Sequence, residues 1–170
     1  NADLTDLITT SSFEDIEYIC VKTPVFSFNR LPNVDPMLGV EMASTGEVAA
    51  FGYDIRETYL KSLISTGFKI PKKNILISIN DIYKYELIEY LNILLNIGYN
   101  LYGSNGTCNF FKKHNITVIN LDDNNIIKSI NDKIIDCVIN IPNSIYNSNE
   151  STFGYKMRIT SINNNIPLIK

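Results

Sequence analysis

The segment "NILISIN" at residues 74–80 decides the fold class of this 170-residue chain. It is a nearly continuous apolar run, which is typical of a strand buried on both faces. The residues after it repeat apolar side chains at helical spacing up to Gly98, and the same order then recurs. Strands are predicted at 74–80, 99–103, 116–120, 135–142 and 166–169, with helices at 81–97, 107–114, 124–132 and 152–163. This alternation predicts a five-stranded parallel sheet with helices on both faces, which is a three-layer α/β/α domain.

The part of the chain before residue 74 has a different pattern. The segment "FEDIEYICVKTPVFSF" at 13–28 is rich in residues that favour strands, whereas "EMASTGEVAAFG" at 41–52 is ambiguous. A helix is predicted over 54–66, where Asp54 and Glu57 form a capping box and Gly67 ends the helix. Its apolar stripe is Leu60, Leu63 and Ile64.

A domain boundary is predicted near residues 67–73, where "KIPKK" interrupts the pattern. We therefore expect a small α+β tail at 1–68 and the α/β domain at 69–170.

Composition excludes several classes of function. The net charge of −3 and the pI of about 5.1 give no support for a nucleic-acid-binding surface. No apolar run is long enough to span a bilayer, and the first residues do not resemble a signal peptide. The three cysteines lack metal-type spacing, so they are expected to be free thiols in a reducing compartment. We expect a cytoplasmic chain, and one that is a fragment of a longer protein.

Polar side chains follow three of the predicted strands. Ligands of parallel sheets bind beyond the carboxyl ends of the strands, so these loops are the candidate site. The candidate binding residues are Ser78, Lys84, Ser104, Asn105, Gly106, Thr107, Asn140, Asn143 and Ser144. Hydroxyls, amides, helix-start N–H groups and one lysine are suited to holding an anion.

Each of these residues also has a purely structural explanation. Ser104 and Thr107 can cap the next helix, and Gly106 can supply a positive φ. Asn143 can shape a turn, and Lys84 can be a solvated helix residue. Only the convergence of three polar loops on one edge favours binding.

No catalytic residues are predicted. The single histidine, His114, lies at the end of a short helix and needs no special role. Asp81 is better explained as an N-cap, and the other acidic residues near the sheet, Asp122, Asp123 and Asp136, as solvated turn residues. No Ser–His–Asp arrangement and no metal-ligand cluster is indicated.

Several long motifs resemble the large chain of carbamoyl phosphate synthetase. The segment "VKTPVFSFNRLPNVDPMLGVEMASTGEVAAFG" at 21–52 is similar to the end of its second ATP-grasp half, and "STGFKIPKK" at 65–73 to the junction that follows. The motifs "LYGSNGT" at 101–107 and "VINIPN" at 138–143 resemble its C-terminal regulatory domain, which has the methylglyoxal synthase-like fold.

The resemblance implies a sheet of strand order 3-2-1-4-5 and an allosteric role. Bacterial members of that family bind uridine and inosine monophosphates, and the urea-cycle type binds N-acetylglutamate. The eukaryotic pyrimidine-pathway type responds to uridine triphosphate and phosphoribosyl pyrophosphate. The sequence "GYKMR" at 154–158 is closer to this last type, so its effectors are the ones we expect.

The resemblance also implies roles for individual residues. Ser104 and Thr107 fall on the family's two effector-binding hydroxyl residues, and Lys84 falls on its phosphate-binding lysine. Asn140 falls on the binding asparagine after strand four, and together with Asn143 it resembles the pair of the N-acetylglutamate type.

Three departures from the family pattern stand out. The connection "NLDDNNII" at 120–127 lacks the second lysine of bacterial members. Gly154 replaces the third asparagine of the N-acetylglutamate type, and the chain has no tryptophan. Lys156 and Arg158 either supply charge for a polyphosphate or are surface residues of the last helix.

The resemblance places the ATP and Mg²⁺ (or Mn²⁺) ligands of the parent enzyme upstream of residue 1. The segment itself is expected to need no cofactor, and Arg30, Glu41 and Glu47 to have structural roles. The expected partners are a small-molecule effector and the synthetase and glutaminase domains of the same enzyme, with a homo-oligomer as a further expectation; no nucleic acid or membrane is expected.

Three functions compete at this point. The first is a regulatory module that binds an effector at the sheet edge. The second is a lyase of the methylglyoxal synthase type, which predicts a catalytic carboxylate in these loops. The third is a structural or oligomer-forming domain, which the sequence leaves open.

Overall fold

A computed structural model describes residues 17–27, 44–141 and 152–170 of the chain. Within these ranges the chain forms two compact units. The first contains residues 17–25 and 46–67, and the second contains the remaining described residues. The predicted division into 1–68 and 69–170 stays a prediction.

The first unit contains a two-stranded antiparallel sheet and one helix. β1 (Ile19–Val25) runs antiparallel to β2 (Gly46–Gly52), and α1 (Ile55–Ser65) follows. The ambiguous segment at 41–52 thus contains a strand. The side chain of Asp54 accepts hydrogen bonds from the N–H groups of Arg56 and Glu57, as the predicted cap requires.

The predicted apolar stripe of α1 is not its buried face. Leu60 and Ile64 are exposed, whereas Thr58 and Ser62 are fully buried. The hydroxyl of Thr58 donates to the carbonyl oxygen of Asp54, which satisfies it inside the helix. A Cβ atom added to Gly52 would lie 2.3 Å from Thr58 Oγ1, so only glycine permits this close approach. Small side chains, and not large apolar ones, therefore make this contact.

The second unit is the predicted three-layer α/β/α domain. Its strands are β3 (Asn74–Ile79), β4 (Asn100–Gly103), β5 (Ile119–Asn120), β6 (Cys137–Ile141) and β7 (Leu168–Ile169). Its helices are α2 (Ile88–Asn96), α3 (Asn105–Lys113), α4 (Asp123–Asn131) and α5 (Phe153–Asn163). All pairings are parallel, and the strand order is β5-β4-β3-β6-β7. The predicted fold class and the order 3-2-1-4-5 are confirmed.

The central strand β3 explains why the run at 74–80 is apolar without alternation. Ile75, Ile77 and Ile79 pack with residues of α2 and α3 in one core cluster. Leu76 packs on the opposite face with residues of α4 and α5. Because both faces are covered, the buried positions of the strand, Ile75–Ile77 and Ile79, are all apolar, and only Asn74 and Ser78 near its two ends are polar.

Several predicted elements are shorter or less regular than expected, among them the segment 81–97 and β5. The segment 81–97 begins with two 3-10 turns, Asp81–Tyr83 and Tyr85–Leu87, before α2. Asn80 caps the first turn by accepting a hydrogen bond from the N–H group of Ile82, so the prediction that Asp81 is the cap is wrong. β5 has only two residues because it is an edge strand that pairs on one side with β4.

Replacing Ile77 by alanine is expected to destabilise the second unit by about 2–5 kcal/mol, because it leaves a cavity at a fully buried position. Ile97→Ala is the matched control, since Ile97 is 66% exposed and its loss should change stability by less than about 0.5 kcal/mol. Urea unfolding followed by circular dichroism measures both. Equal losses in the two variants would contradict the assigned core.

Candidate functional site

The polar loops converge where the order of the sheet reverses. β3 pairs with β4 on one side and with β6 on the other, so the crossovers on its two sides run in opposite directions along the sheet. Such a switch point leaves a crevice beyond the strand ends. A cavity of about 410 Å³, here called the central cavity, lies at this place.

Six of the nine predicted binding residues line the central cavity: Ser78, Lys84, Ser104, Gly106, Thr107 and Asn140. Asn105 instead lines a neighbouring open cavity beside Asn120, Asp122 and Asp123. Asn143 and Ser144 lie outside the described residues. The structure thus brings most of the predicted residues together, while their binding role stays a prediction.

Lys84 is a buried cation and not a solvated helix residue. Only 4% of its surface is exposed, and its Nζ lies 2.5 Å from Asp81 Oδ1. The same Nζ lies 5.5 Å from the centre of the Phe110 ring, at a distance suited to a cation–π contact. The aromatic ring and the turn between β3 and α2 therefore hold the ammonium group at the cavity wall.

Arg158 is a second buried cation in the same cavity. It comes from α5, is 2% exposed, and donates from Nη1 to Asn140 Oδ1 over 3.0 Å. Asn140 donates from its Nδ2 to the carbonyl oxygen of Ser78 over 3.2 Å. This chain of contacts fixes the guanidinium against the strand ends. Lys156 on the same helix is exposed, so only one of the two basic residues of "GYKMR" faces the cavity.

The start of α3 contributes hydrogen-bond donors. Ser104 occupies the N-cap position but makes no side-chain capping hydrogen bond, so simple capping does not account for it. Its Oγ lies 3.4 Å from the hydroxyl of Thr107, which is buried. Ser104, Gly106 and Thr107 all line the central cavity at the N-terminus of α3, where the helix dipole favours negative charge.

Gly106 does not act through a positive φ. Among the glycines that the structure describes, only Gly67 and Gly98 have that conformation. A Cβ atom on Gly106 would meet no atom within 4 Å. The explanation by a positive φ is therefore wrong for Gly106, and a small side chain would fit at this position.

The predicted site left out the lining residues Asn80, Asp81, Thr152 and Gly154, and the role of Arg158 was left undecided. Arg158 lies beside Met157 on the buried face of α5. Gly154 lies one helical turn before Arg158, and a Cβ atom there would be 3.4 Å from Arg158 Nη1. Both residues could have been chosen from the sequence only if the buried face of this helix had been known.

Two buried thiols lie near the sheet and are poor nucleophiles. Burial raises the pKa of Cys108, and this outweighs the lowering by its hydrogen bond to the Gly103 carbonyl and by the charge of Lys84. Burial, and then the negative charge of Asp136, raise the pKa of Cys137 to about 12. Because the thiolate is the reactive form, neither thiol is prepared for catalysis.

Other chemistries find little support in the described parts of the chain. No group of three or more His, Cys, Asp and Glu residues there is arranged to hold a metal ion. His114 ends α3, with its ring 4.9 Å from Phe110 and 5.4 Å from Tyr85. Within the same described residues, every helix is too short or too polar to cross a membrane.

The fold and the cavity define a class, an α/β/α domain of the methylglyoxal synthase-like type with a cationic crevice at its switch point. The pattern of the MGS-like domain family matches residues 86–170. The chain therefore belongs to the MGS-like domain family.

Curated relatives place this region within much longer proteins. Multifunctional protein URA2 of Saccharomyces cerevisiae is 42% identical over 168 residues, which is 90% of this chain and 8% of URA2. Multifunctional protein CAD of Squalus acanthias is 43% identical over 171 residues, covering 88% of this chain and 8% of CAD. Human mitochondrial carbamoyl-phosphate synthase [ammonia] is 37% identical over 163 residues, covering 90% of this chain and 11% of the synthase.

These alignments confirm the predicted resemblance to carbamoyl phosphate synthetase. The chain spans about a tenth of the length of these relatives. Among solved structures, methylglyoxal synthase from Elizabethkingia anophelis NUHP1 superposes with a TM-score of 0.46 at 18% identity, over 58% of this chain and 70% of that one.

A thiol-specific reagent at about pH 8 is expected to modify one cysteine per native chain, because Cys20 is exposed while Cys108 and Cys137 are buried with raised pKa values. Cys20→Ser should leave no rapidly reacting thiol, and denaturant should expose the two buried cysteines. Rapid labelling of a second thiol in the native chain would contradict this burial.

The raised pKa of Cys137 also predicts a pH dependence of stability. Since the native pKa of Cys137 lies above its ordinary value of 9.0, the contribution of this thiol to the free energy of unfolding should fall as pH rises from 9.0 towards about 12.

Proposed function

We propose that this chain is the effector-binding region of a carbamoyl phosphate synthetase that serves pyrimidine biosynthesis. Its ligand is a phosphate-bearing effector, a uridine nucleotide or phosphoribosyl pyrophosphate, held in the central cavity. The observation that carries this proposal is the presence of two buried cations, Lys84 and Arg158, beside the start of α3 in one crevice.

The charge balance of the cavity supports an anionic ligand. Burying a cation costs free energy unless opposite charge or strong hydrogen bonds offset it. Lys84 and Arg158 both line the cavity, and Asp81 is paired with Lys84. A phosphate would be a further anionic acceptor for these two cations and would accept hydrogen bonds from the hydroxyls of Ser104 and Thr107.

Arg158 also provides a second positive charge, which the sequence analysis did not find in the connection after β5. The short acidic connection after β5 lacks the second lysine that the resemblance implies for nucleotide binding. Arg158 reaches the same cavity from α5, on the opposite side of β3. Its planar guanidinium is suited to two parallel hydrogen bonds to one phosphate. It is therefore the second charge of the proposed site.

The parent enzyme is proposed from the relatives. One is itself a carbamoyl-phosphate synthase, and others are multifunctional proteins of which this chain covers less than a tenth. We infer a cytoplasmic enzyme whose ATP and Mg²⁺ (or Mn²⁺) bind elsewhere in the parent chain. The synthetase and glutaminase domains are then the partners of this region, and an effector regulates them by binding two states of the enzyme unequally.

N-acetylglutamate is the alternative effector, because its two carboxylates also match two cations. Gly154 stands where the family type that binds it has an asparagine, so this cavity offers one amide fewer. We therefore favour the phosphate ligands and keep N-acetylglutamate as an arm of the binding test.

Isothermal titration calorimetry is expected to detect binding of uridine triphosphate or phosphoribosyl pyrophosphate to this chain. Arg158→Met should weaken binding by about ten- to a hundredfold, as expected for the loss of a charged hydrogen-bonding partner, and Arg158→Lys should weaken it less. Lys156→Met removes the same charge from the exposed face of α5 and should leave affinity within about twofold. Thr107→Ala should also weaken binding.

Thermal melts by circular dichroism identify any variant that fails to fold. Two results contradict the proposal. One is that folded wild-type protein binds neither uridine triphosphate nor phosphoribosyl pyrophosphate at millimolar concentration. The other is that Arg158→Met and Lys156→Met change affinity equally.

The chain is expected not to convert dihydroxyacetone phosphate to methylglyoxal, because the one carboxylate that lines the described cavity, Asp81, is largely solvated and paired with Lys84. A colorimetric assay for methylglyoxal measures this, with buffer alone as the background. Turnover that disappears in Asp81→Asn would establish the lyase function in place of the regulatory one.

A further inference from the structure

The ion pair between Asp81 and Lys84 joins two residues of opposite exposure. The Asp81 side chain is 88% exposed, while that of Lys84 is 5% exposed. Both line the central cavity, and the carboxylate lies 2.5 Å from the ammonium group. An internal carboxylate therefore occupies a position beside Lys84 that an incoming anion would need.

Lys84 has little freedom to leave this position. Its side chain is buried, and the Phe110 ring lies below the ammonium group. Phe110 in turn contacts Tyr85 and His114 edge-on or tilted, so several aromatic rings restrain it. An anion that uses this charge must come to Lys84 inside the cavity.

Asp81, in contrast, can move with little cost. Its backbone is held by the turn that Asn80 caps, and not by any packing of its own side chain. Rotation about its side-chain bonds would transfer the carboxylate from Lys84 to water, where carboxylates are well hydrated. The pair is thus asymmetric: one partner is fixed in the wall and the other is replaceable.

We propose that Asp81 is an internal competitor for the effector, which sets the affinity of the central cavity by occupying Lys84 until a ligand anion replaces it. This proposal rests on the proposed function, since it concerns the same site. Direct competition lowers the affinity of every anion that uses Lys84 by the same factor. It also keeps the charge of Lys84 compensated when the cavity is empty.

The size of the effect follows from the exposure of Asp81. Exposed ion pairs are weak, so removing the competitor should tighten anion binding by about two- to fivefold. The factor should be the same for inorganic pyrophosphate and for uridine triphosphate, because Asp81 acts on Lys84 and not on the rest of the ligand.

Titration calorimetry with pyrophosphate and with uridine triphosphate tests this on wild-type protein, Asp81→Asn and Asp123→Asn. Asp123 lies on α4 beside the neighbouring cavity, so its substitution makes the same charge change at the same sheet edge away from Lys84. The expected result is tighter binding of both ligands by Asp81→Asn, with Asp123→Asn close to wild type. The gain should vanish when Asp81→Asn is combined with Lys84→Met.

If wild-type protein binds uridine triphosphate, several outcomes would overturn the competitor role of Asp81 without contradicting the proposed function. Equal tightening by Asp81→Asn and Asp123→Asn would indicate general electrostatics. Weaker nucleotide binding by Asp81→Asn would indicate that Asp81 contacts the ligand. Persistence of the gain in the Lys84→Met background would exclude competition at that lysine. If neither wild type nor Asp81→Asn binds any of these anions, both this inference and the proposed function fall.

Discussion

The register between β3 and β6 is the constraint on which the proposed site depends. It places Ser78 opposite Asn140 at the carboxyl ends of the two strands. Asn140 can therefore donate to the Ser78 carbonyl while its oxygen accepts from Arg158. A shift by one residue would turn Asn140 to the other face of the sheet, because side chains alternate along a strand. The position of a buried cation thus follows from strand pairing.

The same constraint joins the core to the chemistry of the cavity. β3 is apolar because helices cover both of its faces, and this burial fixes the strand ends rigidly. The residues that follow each of these parallel strands therefore lie at the same edge of the sheet, beside the central cavity. Lys84 arrives from the turn after β3, Thr107 from the helix after β4, and Arg158 from the helix that follows β6. A parallel sheet collects distant residues in this way without long loops.

The two cavities at this edge of the sheet are lined by side chains of opposite charge. The cations Lys84 and Arg158 border the central cavity, whereas Asp122 and Asp123 border the neighbouring cavity after β5. Positive and negative side chains are thus separated along this edge of the sheet. The cost of burying two cations is reduced by Asp81, Asn140 and Phe110. This compensation would suit the reversible anion binding that we propose for the cavity.

By itself, the sequence determined the fold class and the placement of Ser78, Ser104 and Thr107 at strand ends. Both follow from local periodicity and from glycine and capping signals, which act over a few residues, whereas the strand order was implied only by the family resemblance. Tertiary structure decided that Lys84 is buried, that Arg158 rather than Lys156 faces the cavity, and that Asp81 pairs with Lys84 instead of capping a helix. It also decided that Thr58 and Ser62, not Leu60 and Ile64, are the buried residues of α1. Periodicity shows that a helix has two faces, but which polar side chains become buried depends on how elements distant in the sequence pack together.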